Sequence, residues 1–209
     1  LRTGIIAGST CPIELMKRLI NDMELTEIVI GYGQTECSPI NSMTAIEDSL
    51  EARVTTVGRA HTNWELKIIR ENGTTAGIDE TGEVCSRGYG VMQGYWNDPG
   101  KTDDTIDKDG WLHSGDLGEM DEDGYVKITG RIKDMIIRGG ENVYPREIEE
   151  FLYTHPSIQE VQVFGVPDDK YGEQVAAWVQ IKEGQSITED EQRDASSGQI
   201  NHFKVPTTT

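Results

Sequence analysis

The 209 residues are long enough for one large domain or two small ones, and 35% apolar with 27% charged content excludes collagen-like and membrane-spanning chains. No apolar run reaches the roughly 18 residues of a spanning helix, and residues 1–10 lack the basic and apolar regions of a signal peptide. A net charge of −18, with 19 Lys and Arg against 37 Asp and Glu, opposes binding to nucleic acid or anionic membranes. Three scattered cysteines, Cys11, Cys37 and Cys85, fit neither a disulfide framework nor a thiolate metal site, so the chain reads as intracellular with free thiols.

In chain order, residues 2–8 read as a strand, 12–22 as a helix with Ile13, Met16, Leu19 and Ile20 on one side, and 27–30 as a second strand. Together they make an α/β unit. From about Arg53 to Gly130 the signals are β-rich: residues 64–70 alternate, residues 81–88 follow, and the turn DEDG at 121–124 joins two short runs. A new pattern opens near Arg131, with a strand over 131–138 and a helix begun by Pro145 that carries Ile148, Phe151 and Leu152 on one face. Glu147, Glu149 and Glu150 suit its N-terminal dipole. Two apolar runs, 158–166 and 173–182, flank the turn PDDKYG, and Thr188 with Glu191 fits a capping box for a last helix. The expected fold is therefore α/β followed by a small α+β domain, with the boundary at 130–133. No methionine opens the chain and the last segment looks unfinished, so both ends are expected to be cuts through a longer protein.

Three segments carry candidate chemistry. GYGQTE at 31–36 follows an apolar strand, where α/β sheets bind ligands, and joins two glycines, Thr35 and Glu36 in a short bend. Glycines let backbone amides approach phosphate, threonine donates to it, glutamate can hold Mg²⁺, and Tyr32 can stack on a base. On its own, a plain turn with a solvated glutamate fits these residues better. In the second segment, with Asp121 opposite Gly124, Asp116 lies nearly opposite Thr129 and close to Arg131. That pair suits a ribose, and equally an ordinary ion pair closing a hairpin. In the third, Gly139 and Gly140 separate a strand from the Pro145 helix, and Arg138 offers charge to an anion; a loop that needs glycine only to turn explains them as well.

His61, His113, His155 and His202 show neither metal nor nucleophile-elbow spacing, so no hydrolase or zinc reading follows. The paired acids Asp103 with Asp104 and Asp168 with Asp169 read as solvated turn and helix-end residues.

Taken together, GYGQTE, WLHSGDLG, VMQGYWNDPGKT and GRIKDMIIRGGENVYPREIE resemble, in order and spacing, the adenylate-forming (AMP-binding) superfamily. Residues 138–169 lean towards medium-chain and other fatty acyl-CoA synthetases. The resemblance implies the C-terminal portion of a large AMP-binding domain over 1–131 and a truncated small domain over 132–209. It implies ATP or AMP, Mg²⁺ and CoA as cofactors, a carboxylic acid as substrate, and a parent acid-CoA ligase of which this chain alone is inactive. Tyr32 and Gly33 would lie at the adenine, Thr35 at the α-phosphate, Glu36 at Mg²⁺ and Asp116 at the ribose. Arg131 would reach ribose or phosphate. Lys133 would be the hinge of a domain rotation. Arg138, Gly139 and Gly140 would line the pantetheine path, and Ala7, Gly8 and Ser9 would lie beside the adenine and acyl group. The family's phosphate loop would precede Leu1 and its adenylation lysine would follow HFKVP, which leaves Lys204 without that role. The expected location is cytoplasmic, or the mitochondrial matrix if a presequence precedes this segment. Transfer to a carrier-protein thiol, or a non-catalytic interaction module, are the alternative functions.

Overall fold

The structure is a computed structural model that describes residues 2–9, 11–185 and 204–206. The chain divides into two compact units, Leu1–Thr129 and Gly130–Thr209. The capping box expected at Thr188 and Glu191, and His202, lie outside the described residues.

In the first unit, β1 (Thr3–Ile6) and β2 (Glu27–Tyr32) are parallel, in register from Thr3 opposite Glu27 to Ile6 opposite Ile30, and α1 (Ile13–Asp22) connects them. Met16 on α1 is fully buried; Ile13, Leu19 and Ile20 pack against the same core, as their helical spacing requires. β3 (Ser42–Met43) adds antiparallel to β2, and β4 (Arg59–Ala60) adds to β3. A second sheet runs in the order β5 (Trp64–Ile69), β6 (Gly82–Gly88), β7 (Leu112–Met120), β8 (Val126–Arg131). Leu25, Ile28, Ile30, Val57, Ile68, Val84 and Val126 form one continuous core with α1. Each such side chain contributes on the order of 1.5–3 kcal/mol by leaving water.

The stretch read as β-rich also holds two short helices, α2 (Leu50–Thr55) and α3 (Pro99–Thr105). Ser49 caps the first by accepting from the Ala52 N–H, and Asp98 caps the second by accepting from Lys101, with Pro99 in the first turn. Asp103 and Asp104 are exposed on α3, as a solvated reading requires.

The 121–124 turn is real, but its register differs by one residue from the expectation. Oδ1 of Asp121 accepts from the amides of Asp123 and Tyr125, and the Asp121 N–H donates to the Tyr125 carbonyl, so Asp121 faces Tyr125 rather than Gly124. Glu119 accordingly reaches Lys127, at 3.0 Å.

In the second unit, the strand expected over 131–138 is shorter. Ile132–Asp134 forms a single 3₁₀ turn, after which the Met135 N–H donates to the Arg131 carbonyl, and only β9 (Ile136–Arg138) is extended. Its exposed Ile132, Lys133 and Asp134 have no sheet to join. Gly139 and Gly140 do not lead directly to the helix. They close a two-residue hairpin to β10 (Glu141–Val143), and their φ values of 61° and 89° are those of a type I′ turn, which glycine adopts without strain. α4 (Pro145–Tyr153) then buries Ile148 and Leu152 against β11 (Ile158–Asp168) and β12 (Gly172–Ile181), an antiparallel pair in the order β10-β9-β12-β11. Glu149 on α4 accepts from the Val163 N–H at 2.8 Å, and burial pushes its pKa up. Glu147 pairs with Lys204 Nζ at 2.7 Å.

Candidate nucleotide site

Because β1 and β2 are parallel, the bend after Ile6 and the bend after Tyr32 leave the same edge of the sheet. Gly8 and Ser9 therefore lie at the strand-end edge that also carries Gly33, Thr35 and Glu36, the position where α/β sheets take ligands. Gly33 can only be glycine: its φ is 156°, and a Cβ there would stand 2.1 Å from the Pro39 carbonyl oxygen. Thr35–Cys37 then makes one 3₁₀ turn that presents Thr35 to solvent and buries Cys37 beneath it.

The hydroxyl of Tyr32 donates to Asp116 Oδ2 at 2.8 Å, across 84 positions of sequence. Burial, and next the charge of Asp116, push the Tyr32 pKa far above the ordinary tyrosine value, so the phenol stays a donor throughout the physiological range. Asp116 is buried, which is unusual for a carboxylate and places it inside the unit rather than on its acidic surface.

Glu36 accepts from the hydroxyl of Tyr95 at 2.7 Å, and that bond raises the Tyr95 pKa. The Met92 amide donates to the Glu36 carbonyl, the Tyr95 amide to Thr102 Oγ1, and the Lys101 ammonium lies 4.2 Å from the Tyr95 ring centroid. The segment VMQGYWNDPGKT thus acts as a brace for the Thr35–Cys37 turn. Tyr95 was absent from the candidate residues; the pairing of a phenol with a carboxylate 59 positions away leaves no local signal. Glu36 supplies a hard oxygen donor on a partly exposed turn, the kind of single carboxylate with which Mg²⁺ is held alongside substrate phosphates.

His113 belongs to this region although its spacing gave no role. Its Nδ1 lies 2.8 Å from Glu83 Oε2 and 3.7 Å from Cys85 Sγ, and its Nε2 lies 3.9 Å from Asp107. The donor atoms of Glu83, Cys85 and His113 fall within 4.8 Å of one another. Both Glu83 oxygens have protein partners, His113 on one and the Gly115 N–H on the other at 3.0 Å.

The remaining candidates belong to the second unit. Arg131 ends β8, and Lys133 is exposed on the 3₁₀ turn that follows. Arg138 lies 4.4 Å from the Tyr171 ring centroid and hydrogen-bonds Gln174; Gly139 donates to the Tyr171 carbonyl at 2.8 Å; Gly140 is exposed. Lys170 lies over the same ring at 4.7 Å and lowers the Tyr171 pKa.

Residues 1–96 match the family described as AMP-binding enzyme, and residues 147–209 match its C-terminal domain. The chain belongs to the AMP-binding enzyme family. It is 54% identical over 208 residues to a putative acyl-CoA synthetase of Bacillus subtilis, YngI, covering 99% of this chain and 38% of that protein. It is 48% identical over 207 residues to the bovine mitochondrial medium-chain acyl-CoA ligase ACSF2, covering 99% and 34%. The o-succinylbenzoate CoA synthetase of Bacillus subtilis in complex with its acyl-adenylate intermediate matches in structure, with a TM-score of 0.88 at 28% identity over 100% of this chain and 42% of that one. The chain thus spans little more than a third of the curated relatives it matches. The fold is that of adenylate-forming enzymes, as the resemblance implied. Among the described residues no helix is long and apolar enough to cross a membrane.

Proposed function

We propose that the protein containing this chain is an ATP-dependent acid-CoA ligase acting on medium-chain or fatty acids. The observation that carries the reading is the hydrogen bond from Tyr32 to the buried Asp116, beside the parallel strand ends. A phenol and a carboxylate held there offer an aromatic face and two acceptor oxygens to a nucleoside. In the first step an acid carboxylate attacks the α-phosphorus of ATP and pyrophosphate leaves. In the second the CoA thiol attacks the acyl carbon, AMP leaves with the electrons of the broken bond, and the thiol proton passes to solvent.

Within this reading Tyr32 and Gly33 border the adenine, with Gly8 and Ser9 beside it, and Asp116 accepts from the ribose hydroxyls. Thr35 donates to the α-phosphate, where negative charge accumulates during attack. Glu36, steadied by Tyr95, would hold Mg²⁺, which offsets that charge. Arg131 serves the ribose or phosphate, and Lys133 is the hinge between a large-domain portion over 1–131 and a small domain over 132–209. Arg138, Gly139 and Gly140 line the pantetheine path. A cytoplasmic or mitochondrial-matrix location suits these substrates; the ACSF2 relatives are mitochondrial.

The test is ATP–pyrophosphate exchange by the full-length protein with a series of carboxylic acids, followed by AMP release with free CoA as sole acceptor. Exchange with medium-chain acids and AMP release with CoA are expected. Exchange without CoA-dependent release would reassign the acceptor, and no exchange with any acid would end the reading.

A further inference from the structure

The pairing of β6 with β7 changes register within the candidate site. Glu83 stands opposite Leu117, yet Cys85 stands opposite His113, so between these pairs Val84 alone faces three residues of β7. The excess is a bulge over residues 114–116, and Asp116 sits at its end. Bulges re-aim side chains beside functional sites, at the cost of ladder hydrogen bonds that something else must replace. Here the replacements are visible. Ser114 Oγ donates to the Val84 carbonyl at 2.6 Å and accepts from the Asp116 N–H at 3.0 Å. The Gly115 N–H, at a residue with φ 72°, donates to Glu83 Oε1 at 3.0 Å. Glu83 Oε2 is held by His113 Nδ1 at 2.8 Å, and His113 Nε2 faces Asp107 at 3.9 Å. The carboxylate of Asp107 is itself fixed by the amides of Asp109 and Trp111.

We infer that Glu83, braced by His113, is a positioning residue for Asp116. Its carboxylate replaces the ladder partner that the bulge denies to Gly115, and so fixes the direction in which Asp116 presents its oxygens. This rests on the reading of Asp116 as the ribose acceptor. Glu83 and His113 hold the backbone of residues 113–116, through which the effect reaches Asp116. A misplacement of about 1 Å at a reacting or binding group can cost up to about 100-fold in rate, so an exchange of this carboxylate for a methyl group has a large expected effect.

The experiment compares ATP with 2′-deoxy-ATP in pyrophosphate exchange by the full-length protein, with octanoate as the acid. A hydrogen bond to a charged acceptor is worth about tenfold or more in binding, so the wild type should prefer ATP by at least about that factor. Asp116→Ala should abolish the preference. Glu83→Ala should raise the KM for ATP about tenfold, leave the KM for octanoate unchanged, and bring the two nucleotides close to parity. Glu83→Ala added to Asp116→Ala should cost little more, because both act on one interaction. A wild-type preference in Glu83→Ala, with preference lost in Asp116→Ala, would overturn the positioning role alone. A preference unchanged in Asp116→Ala would instead overturn the ribose reading beneath it. If Glu83→Ala yields no folded protein, His113→Gln carries the same comparison, and an unchanged preference there overturns the proposal.

Discussion

The two halves of the chain hold their candidate residues by different means. In the first unit Asp116 and Tyr32 are fixed by partly buried polar bonds drawn from β2, β6 and β7, elements far apart in sequence. In the second unit Gly139 and Gly140 are fixed by the geometry of one hairpin, with Arg138 and Tyr171 at its side on an accessible surface. A buried carboxylate held by protein hydrogen bonds keeps its direction at the moment a ligand arrives, whereas an exposed turn offers backbone and little else. The proposed nucleotide end therefore depends on side-chain chemistry, and the proposed thiol end on main-chain shape.

The largest expected loss is at the buried carboxylate. Asp116→Ala should lower kcat/KM for ATP in pyrophosphate exchange about 100-fold, since it removes the acceptor and the carboxylate that the Tyr32 hydroxyl bonds. A change of twofold or less would show that the buried pair is structural.

Gly139→Val sharpens the contrast from the other side. A β-branched residue at φ 61°, with its Cβ 3.2 Å from Tyr171 Cδ1, should destabilise the second unit by about 1–3 kcal/mol in denaturant unfolding. CoA-dependent AMP release should fall while pyrophosphate exchange persists. Equal loss of both steps would erase the distinction between shape and side-chain chemistry.

Tyr95→Phe removes one hydrogen bond to Glu36 and should raise the Mg²⁺ requirement of exchange by up to about tenfold, read from a magnesium titration at fixed ATP. An unchanged titration would detach Glu36 from the metal.

The smallest effect is on the alkaline limb of stability. Burial, and next the charge of Glu83, push the Cys85 thiol up to about 12. A folded pKa above the unfolded value of about 8.5 means that the stabilisation is complete below that value and is lost as pH rises towards 12. Cys85→Ala should flatten thermal stability between those limits; an identical slope would place Cys85 outside that titration.

Much of this architecture was legible locally. Helix α1 followed from the spacing of Ile13, Met16, Leu19 and Ile20, and the β11–β12 hairpin from two apolar runs around Asp168, whose carboxylate accepts from the Lys170 and Tyr171 amides. Helix α3 has a readable start in Asp98 and Pro99, but its seven residues carry no apolar stripe to mark a helix. The one-residue shift at the 121–124 turn follows from the Asp121 carboxylate accepting the Tyr125 amide, a side-chain bond that backbone positions alone do not reveal. Three segments of the candidate site stood out by composition, but what supports them did not. Glu83 lies 32 positions from Gly115 and Tyr95 lies 59 from Glu36, and no periodicity spans such distances.

The surplus in β7 is two residues, an even number. Leu112 opposite Ser86 and Gly118 opposite Gly82 therefore share one side of the sheet, on either flank of the irregularity. Shortening the strand by a single residue within 114–115 would turn everything beyond it inside out, whereas removing both would leave the alternation whole and strip away only the aim of the acid. Architecture and chemistry can thus be parted here by the parity of a deletion.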